Sequence, residues 1–274
     1  MGERSVRLDL IVIPARYGST RLPGKPLLKI AGRTLLERVV ENARKAASLA
    51  GQVRLVVATD NKRIADHAHD IGVEAVMTSA DLDSGSARAR AAIEALACEP
   101  DGVINLQGDA PFIPASTIVA LIETLRGSQA PVVTPVYQLA WDRLDRLREH
   151  KRSAPFSGTT CTRDAQGRAL WFSKGIIPAI RNEEALRNAP LSPVWQHLGL
   201  YAYTLEALDW FVSAKPGHYE TLEGLEQLRF LENEWAIATV PVPAPSHALS
   251  GIDTPQDVVL AEEAIAKLGD PFED

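Results

Sequence analysis

Cysteine is scarce in this chain: Cys98 and Cys161 are the only two among 274 residues, and their spacing matches no metal or disulfide pattern. A disulfide-stapled fold and a thiolate metal site are therefore not expected, and so few thiols suit a reducing cytoplasm. Long apolar runs are missing as well. The first, residues 8–14, is too short for a membrane span or a signal-peptide core, and Arg16 and Arg21 follow it closely. Positive charge is not in excess either. With 29 Lys and Arg against 35 Asp and Glu, the net charge is −6. Nucleic acid and membrane then have no electrostatic attraction for the chain, and neither is expected as a partner. Internal repeats and low-complexity tracts are absent. The expectation is a soluble, cytoplasmic protein in which any polyphosphate site must gather its basic groups locally.

What is present is ordinary globular usage, 46% apolar and 23% charged, enough for a normal core in one large α/β domain or two unequal lobes. Residues 8–13 read as a buried strand stopped by Pro14. Residues 33–47 carry Leu35, Leu36, Val39, Val40 and Ala43 at helical spacing. Strands follow at 53–58, 73–77 and 103–106, with helices at 62–69 and from about Ser86 to before Pro100; Thr59-Asp60 reads as a helix cap. Such alternation implies a mostly parallel sheet with helices on both faces, whose ligands sit beyond the carboxyl ends of the strands. After about residue 130 the rhythm changes. Strands are expected at 131–139 and 198–203, a polar helix or loop at 141–151, and a hairpin joining 159–163 to 169–172. A helix is expected at 221–232, a strand at 236–242, and a last helix from Thr254-Pro255 through Lys267.

The loop after the first strand reads Pro14-Ala15-Arg16-Tyr17-Gly18-Ser19-Thr20-Arg21-Leu22-Pro23-Gly24-Lys25-Pro26. Glycines that let the backbone approach a phosphate, beside arginines and a lysine, suit a polyphosphate. A Walker A loop is excluded, because five residues separate Gly18 from Gly24 and Pro26 stands where the hydroxyl residue belongs. The plainer alternative is a solvated basic loop. In Gln107-Gly108-Asp109, a carboxylate directly after a strand suits Mg²⁺ held against phosphates, or else it shapes the turn or caps the next helix. Asp253, just before Thr254-Pro255, is open to the same two readings.

The run IPARYGSTRLPGKPL resembles the signature of sugar nucleotidyltransferases. Followed in order by VVATDN, TSADLDSGSAR, NLQGDAPFIP, QHLGLY, LEGLEQLR and GIDTPQD, it makes the chain similar to bacterial CMP-Kdo synthetases, the 3-deoxy-manno-octulosonate cytidylyltransferases, from about Leu8 to Val259. The resemblance implies a Rossmann-like α/β fold: a nucleotide-binding half at 1–130, a smaller mixed lobe for sugar and dimer contact at 131–235, and a segment closing onto the first half at 236–274. It implies CMP transfer from CTP to a 2-keto sugar acid with loss of pyrophosphate. Arg16 and Lys25 would grip the phosphates beside Ala15; Arg88 and Gln107 would line the nucleoside site; Asp109 and Asp253 would bind Mg²⁺. Lys174, His197, Glu226 and Gln227 would face the sugar acid, and a homodimer is implied. The alternatives are another acceptor for the same chemistry, or a nucleotide-sugar-binding protein without catalysis.

Departures from the family pattern fall at Ala87 for Glu, Thr160 for Lys, Lys174 for Arg and Gln196 for Arg. Three of them lie in the sugar half and remove or soften cations. They raise a modified octulosonate or another ulosonic acid as acceptor, set against drift at positions that never touch substrate.

Overall fold

The computed structural model describes residues 7–18, 22–245 and 251–272. Ser19, Thr20 and Arg21 of the basic loop lie outside them. The first half contains β1 (Asp9–Ala15), the short pair β2 (Lys29–Ile30) and β3 (Arg33–Thr34), α1 (Leu35–Ala50), β4 (Val53–Thr59), α2 (Lys62–Asp70), β5 (Glu74–Met77), α3 (Gly85–Ala95), β6 (Gly102–Asn105) and α4 (Ala115–Gly127). Helix α1 begins where Thr34 and Glu37 form a reciprocal capping box. β5, β4, β1 and β6 pair in that order, all parallel.

The apolar run of β1 serves both faces of this sheet. Ile11 and Ile13 join α1, α2 and α4 in one core, while Leu10 and Val12 join α3 and the later helices in the other. That alternation explains why the strand reads as continuously apolar. Each such side chain contributes about 1.5–3 kcal/mol by burial.

The second half supplies β7 (Val132–Ala140), α5 (Trp141–Ser153), β8 (Thr160–Arg163), β9 (Ala169–Ser173), α6 (Glu183–Leu186), β10 (Leu191–His197) and β11 (Tyr201–Tyr203). It continues with α7 (Leu205–Ser213), α8 (His218–Glu223), α9 (Leu228–Glu232), β12 (Ile237–Pro241) and α10 (Pro255–Leu268). The helix expected over 221–232 is two short ones, parted at Gly224, whose φ of 64° ends α8. The strand expected at 198–203 is only β11, preceded by a sharp turn in which Leu200 N–H donates to Leu198 O.

The sheet does not break at residue 131. β11 lies between β6 and β7, antiparallel to both, and β12 pairs with β7 in parallel. Val136 of β7 has His197 of β10 as one partner and Pro241 of β12 as the other. β10 and β11 therefore run along the same edge of β7 as one bent strand. β10 pairs next with β8, and β8 with β9. A bridge from Arg168 to Ala238 returns to β12, so β12, β7, β10, β8 and β9 close into a ring. The C-terminal segment packs on the first half through Ile252, Ala261 and Ile265, which meet Leu22, Ile30, Leu35 and Phe112. No helix among the described residues is long and apolar enough to cross a membrane.

Candidate active site

The basic loop leaves the carboxyl end of β1 and folds back on itself. Tyr17 N–H donates to Asp60 Oδ1 at 3.0 Å, and Gly24 N–H donates to Tyr17 O at 3.0 Å. Gly24 has φ 69°, and a Cβ there would lie 3.1 Å from the Tyr17 ring, so this turn requires glycine on two counts. Arg63 covers the same ring at 4.1 Å. The fold-back aims Lys25 across the strand ends. Its ammonium is 2.8 Å from Asp109 Oδ2 and 3.2 Å from Asp253 Oδ1.

Two close approaches bring those carboxylates together. A Cβ on Gly108 would fall 2.5 Å from Pro14 O, so only glycine lets the turn after β6 pack on β1. Ile252 N–H then donates to Asp109 O at 2.9 Å, which docks the C-terminal segment on that turn. The competing role of helix cap falls to neither carboxylate. α4 starts at Pro114 with no side-chain cap, and α10 is capped by Thr34-like chemistry at Thr254 with Asp257. Neither Asp109 nor Asp253 is the cap of its following helix.

These residues line a cleft of about 210 Å³ with Ala15, Arg16, Asp83, Ser84, Gly85, Arg88 and Gln107. Arg16 is exposed on it. The start of α3 faces it, a setting that favours anions. A Cβ on Gly85 would sit 3.2 Å from the Gln107 amide. Arg88 is buried, and its guanidinium donates to Thr78 Oγ1 at 2.6 Å and Ser79 O at 3.1 Å, with Asp60 Oδ2 at 3.8 Å. Burial pushes its pKa down, against the pull of Asp60. Arg88 thus braces the wall of the cleft and, through Asp60, the basic loop. The expected cap at Thr59-Asp60 is instead Asn61, which accepts from Arg63 N–H at 3.0 Å.

The residues expected to face a sugar acid gather around the bend between β10 and β11. His197 is buried with Nε2 2.8 Å from Thr134 Oγ1, and that hydroxyl donates to Leu200 O at 2.8 Å. Its one proton being committed there, Nε2 carries the hydrogen and Nδ1 keeps a lone pair. Burial, aided by the charge of Lys174, pushes the His197 pKa down to about 3. Tyr201 lies against the His197 ring, centroids 5.5 Å apart, and faces Asn105 across the ladder. Gln227 Nε2 and Asn105 Oδ1 are buried without a protein partner, an arrangement that suits a polar ligand. Glu226 opens to solvent, yet protein hems in its carboxyl. Incomplete hydration raises its pKa, against Arg229 and with Glu220 and Asp83.

Lys174 stands on a fully tied segment. Its N–H donates to Glu223 Oε2 at 2.7 Å and its carbonyl accepts from Lys151 Nζ at 2.6 Å. Burial pushes the Lys174 pKa down, against Glu223. Thr160, one of the departures, is wholly buried and belongs to the same framework: its hydroxyl donates to Gly175 O at 2.8 Å and accepts from Ile177 N–H at 3.0 Å. Sequence reasoning missed Thr134, Tyr201 and Glu223. Asp60 carried a legible signal, a carboxylate directly after a strand.

The donor set fits a hard divalent cation. Two carboxylates converge on one ammonium, so both reach a common point, and a small cation would complete its shell with phosphate and water oxygens. Among the described residues no group of three or more His, Cys, Asp or Glu forms a protein-only cage.

A cytidylyltransferase family model matches residues 10–237. A 3-deoxy-manno-octulosonate cytidylyltransferase of Maricaulis maris is 42% identical, covering 95% of this chain and 98% of that protein. One of the same name from Chlamydia pneumoniae is 38% identical over 98% of both. A solved structure of CMP:2-keto-3-deoxy-manno-octonic acid synthetase complexed with CTP superposes with a TM-score of 0.81 at 33% identity, covering 95% of this chain and 99% of that one.

Proposed function

Because the chain belongs to the 3-deoxy-manno-octulosonate cytidylyltransferase family, we propose that it transfers CMP from CTP to the anomeric oxygen of 3-deoxy-manno-octulosonate (Kdo) and releases pyrophosphate. The observation that carries this reading is the meeting of Lys25, Asp109 and Asp253 at the carboxyl ends of parallel strands. A nucleotide-sugar-binding protein without catalysis has little use for that constellation.

In the reaction the acceptor hydroxyl oxygen bonds to the α-phosphorus as the bond from that phosphorus to the bridging oxygen breaks. Pyrophosphate takes the electron pair, and the hydroxyl proton passes to solvent. Arg16 and Lys25 neutralise the triphosphate while Ala15, Gln107 and the start of α3 shape the nucleotide's place. Asp109 and Asp253 would hold Mg²⁺, which when bound supplies charge neutralisation across the phosphates. On the acceptor side His197 Nδ1 accepts a sugar hydroxyl, Lys174 pairs with the carboxylate, and Gln227 and Glu226 orient the ring. Catalysis is then mostly positioning and charge balance. We read the protein as cytoplasmic and as a homodimer, and light scattering at micromolar concentration tests the dimer.

The deciding assay measures pyrophosphate release from CTP across a panel of ulosonic acids, with the CMP-sugar identified by mass. Release that requires both CTP and Kdo is expected. No release with any ulosonic acid would sink the proposal.

A further inference from the structure

The ammonium of Lys25 occupies the gap between the two carboxylates assigned above to a divalent cation. Its side chain is only 14% exposed, although the two carboxylates it meets stay partly open to water. The backbone of Lys25 is pinned: its N–H donates to Leu22 O at 3.1 Å and its carbonyl accepts from Leu28 N–H at 3.1 Å. Only the side chain, with its four flexible carbons, is left to move.

We propose that Lys25 is a place-holding cation. It balances Asp109 and Asp253 while the cleft lacks nucleotide, keeps a lone divalent cation off them, and yields only when a triphosphate draws its ammonium away. Two anions that converge need a counter-charge, and an ammonium with three donors can serve both. An ammonium and a divalent cation cannot share the gap, because like charges at such distances repel strongly. The triphosphate offers Lys25 an equivalent partner on the same cleft wall, where Arg16 already faces it. The inference rests on the nucleotide and metal reading above, and adds an order to it: the cation enters with the nucleotide or after it.

The test counts bound Mn²⁺ by electron paramagnetic resonance, with the protein alone and with CTP, against a control of CTP alone. The wild type without CTP should remain empty at Mn²⁺ concentrations that fill it when CTP is present. Lys25→Met, without CTP, should bind Mn²⁺ at least about tenfold more tightly than the wild type, since the competing charge is gone. Adding Asp109→Asn to that variant should abolish the gain. Mn²⁺ alone should raise the melting temperature of Lys25→Met and leave that of the wild type unchanged. Wild-type protein that binds Mn²⁺ without CTP as tightly as Lys25→Met, through a site lost in Asp109→Asn, overturns the inference. Should Lys25→Met fail to fold, the wild type with and without CTP decides alone. No bound Mn²⁺ even with CTP would instead remove the metal reading itself, and this inference with it.

Discussion

Gln196 and His197 are consecutive in β10 and so send their side chains to opposite faces of the sheet. Gln196 stands across the ladder from Thr160, whose buried hydroxyl is used by backbone, while His197 meets Tyr201 and Phe172. Two of the three departures in the sugar half therefore lie on the face turned away from His197, and Lys174 alone acts on that histidine.

The first prediction follows from that division. Gln196→Arg should leave kcat/KM for Kdo within about twofold, as a change remote from the substrate does. Lys174→Ala should raise KM for the acceptor about ten- to a hundredfold through loss of a charge-assisted bond, with KM for CTP unmoved. Steady-state kinetics with each substrate varied in turn checks both. A large gain from Gln196→Arg would return that position to the sugar site.

Asp109→Asn and Asp253→Asn should each lower turnover on the order of a hundredfold or more, because an amide keeps the shape and loses the charge. Both ion pairs with Lys25 are partly open to water, so each substitution should cost no more than about 1 kcal/mol of stability. Urea titration beside the activity assay separates the two effects. An active Asp253→Asn would restrict that residue to holding Lys25.

Acid should destabilise the protein through His197. The unfolded chain takes up this proton below the ordinary value of 6.5, whereas the folded one resists until about 3. The stabilisation is whole above 6.5 and drains away as pH falls from there toward 3, at up to ~1.4 kcal/mol per pH unit. Denaturant titrations at pH 7 and pH 5 should show a smaller loss for His197→Gln than for the wild type. Equal losses would mean that His197 does not stay neutral in the fold.

Gly108→Ala should cost roughly 1–3 kcal/mol and most of the activity, since the added methyl meets a backbone carbonyl that cannot step aside. Differential scanning calorimetry and the pyrophosphate assay report the two losses. A variant with unchanged activity would show that the placement of Asp109 tolerates movement of its turn.

The first half was legible because its apolar strands alternate with helices α1, α2 and α3, each opened by a side-chain cap, as at Thr34 with Glu37. α4 was not delimited, for it opens after Pro114 without a side-chain cap. β10 was missed because it reads Leu-Ser-Pro-Val-Trp-Gln-His, a run with neither clean alternation nor sustained hydrophobicity. α7 passed unnoticed between two expected elements, although Thr204 caps it. In the site, the basic loop and Asp109 carried local signals. The place of Asp253 did not, because a backbone bond from Ile252 to Asp109 sets it, far along the chain. Arg88, expected in the nucleoside site, lines the cleft and also donates to Thr78 and Ser79, a bracing role that spacing alone does not show.

Because β10 and β11 are one bent strand shared by the second half and the parallel sheet, there is no seam between the bend that carries His197 and the sheet that carries Asp109. Side chains along a strand keep a two-residue beat, and the turn at residues 198–200 fixes the phase between His197 and Tyr201. Deleting one residue there would invert one partner relative to the other. The surroundings of His197 can thus change through substitutions on this framework far more readily than through insertions, and a second half grafted from a relative would have to bring β7 and the whole bent strand with it.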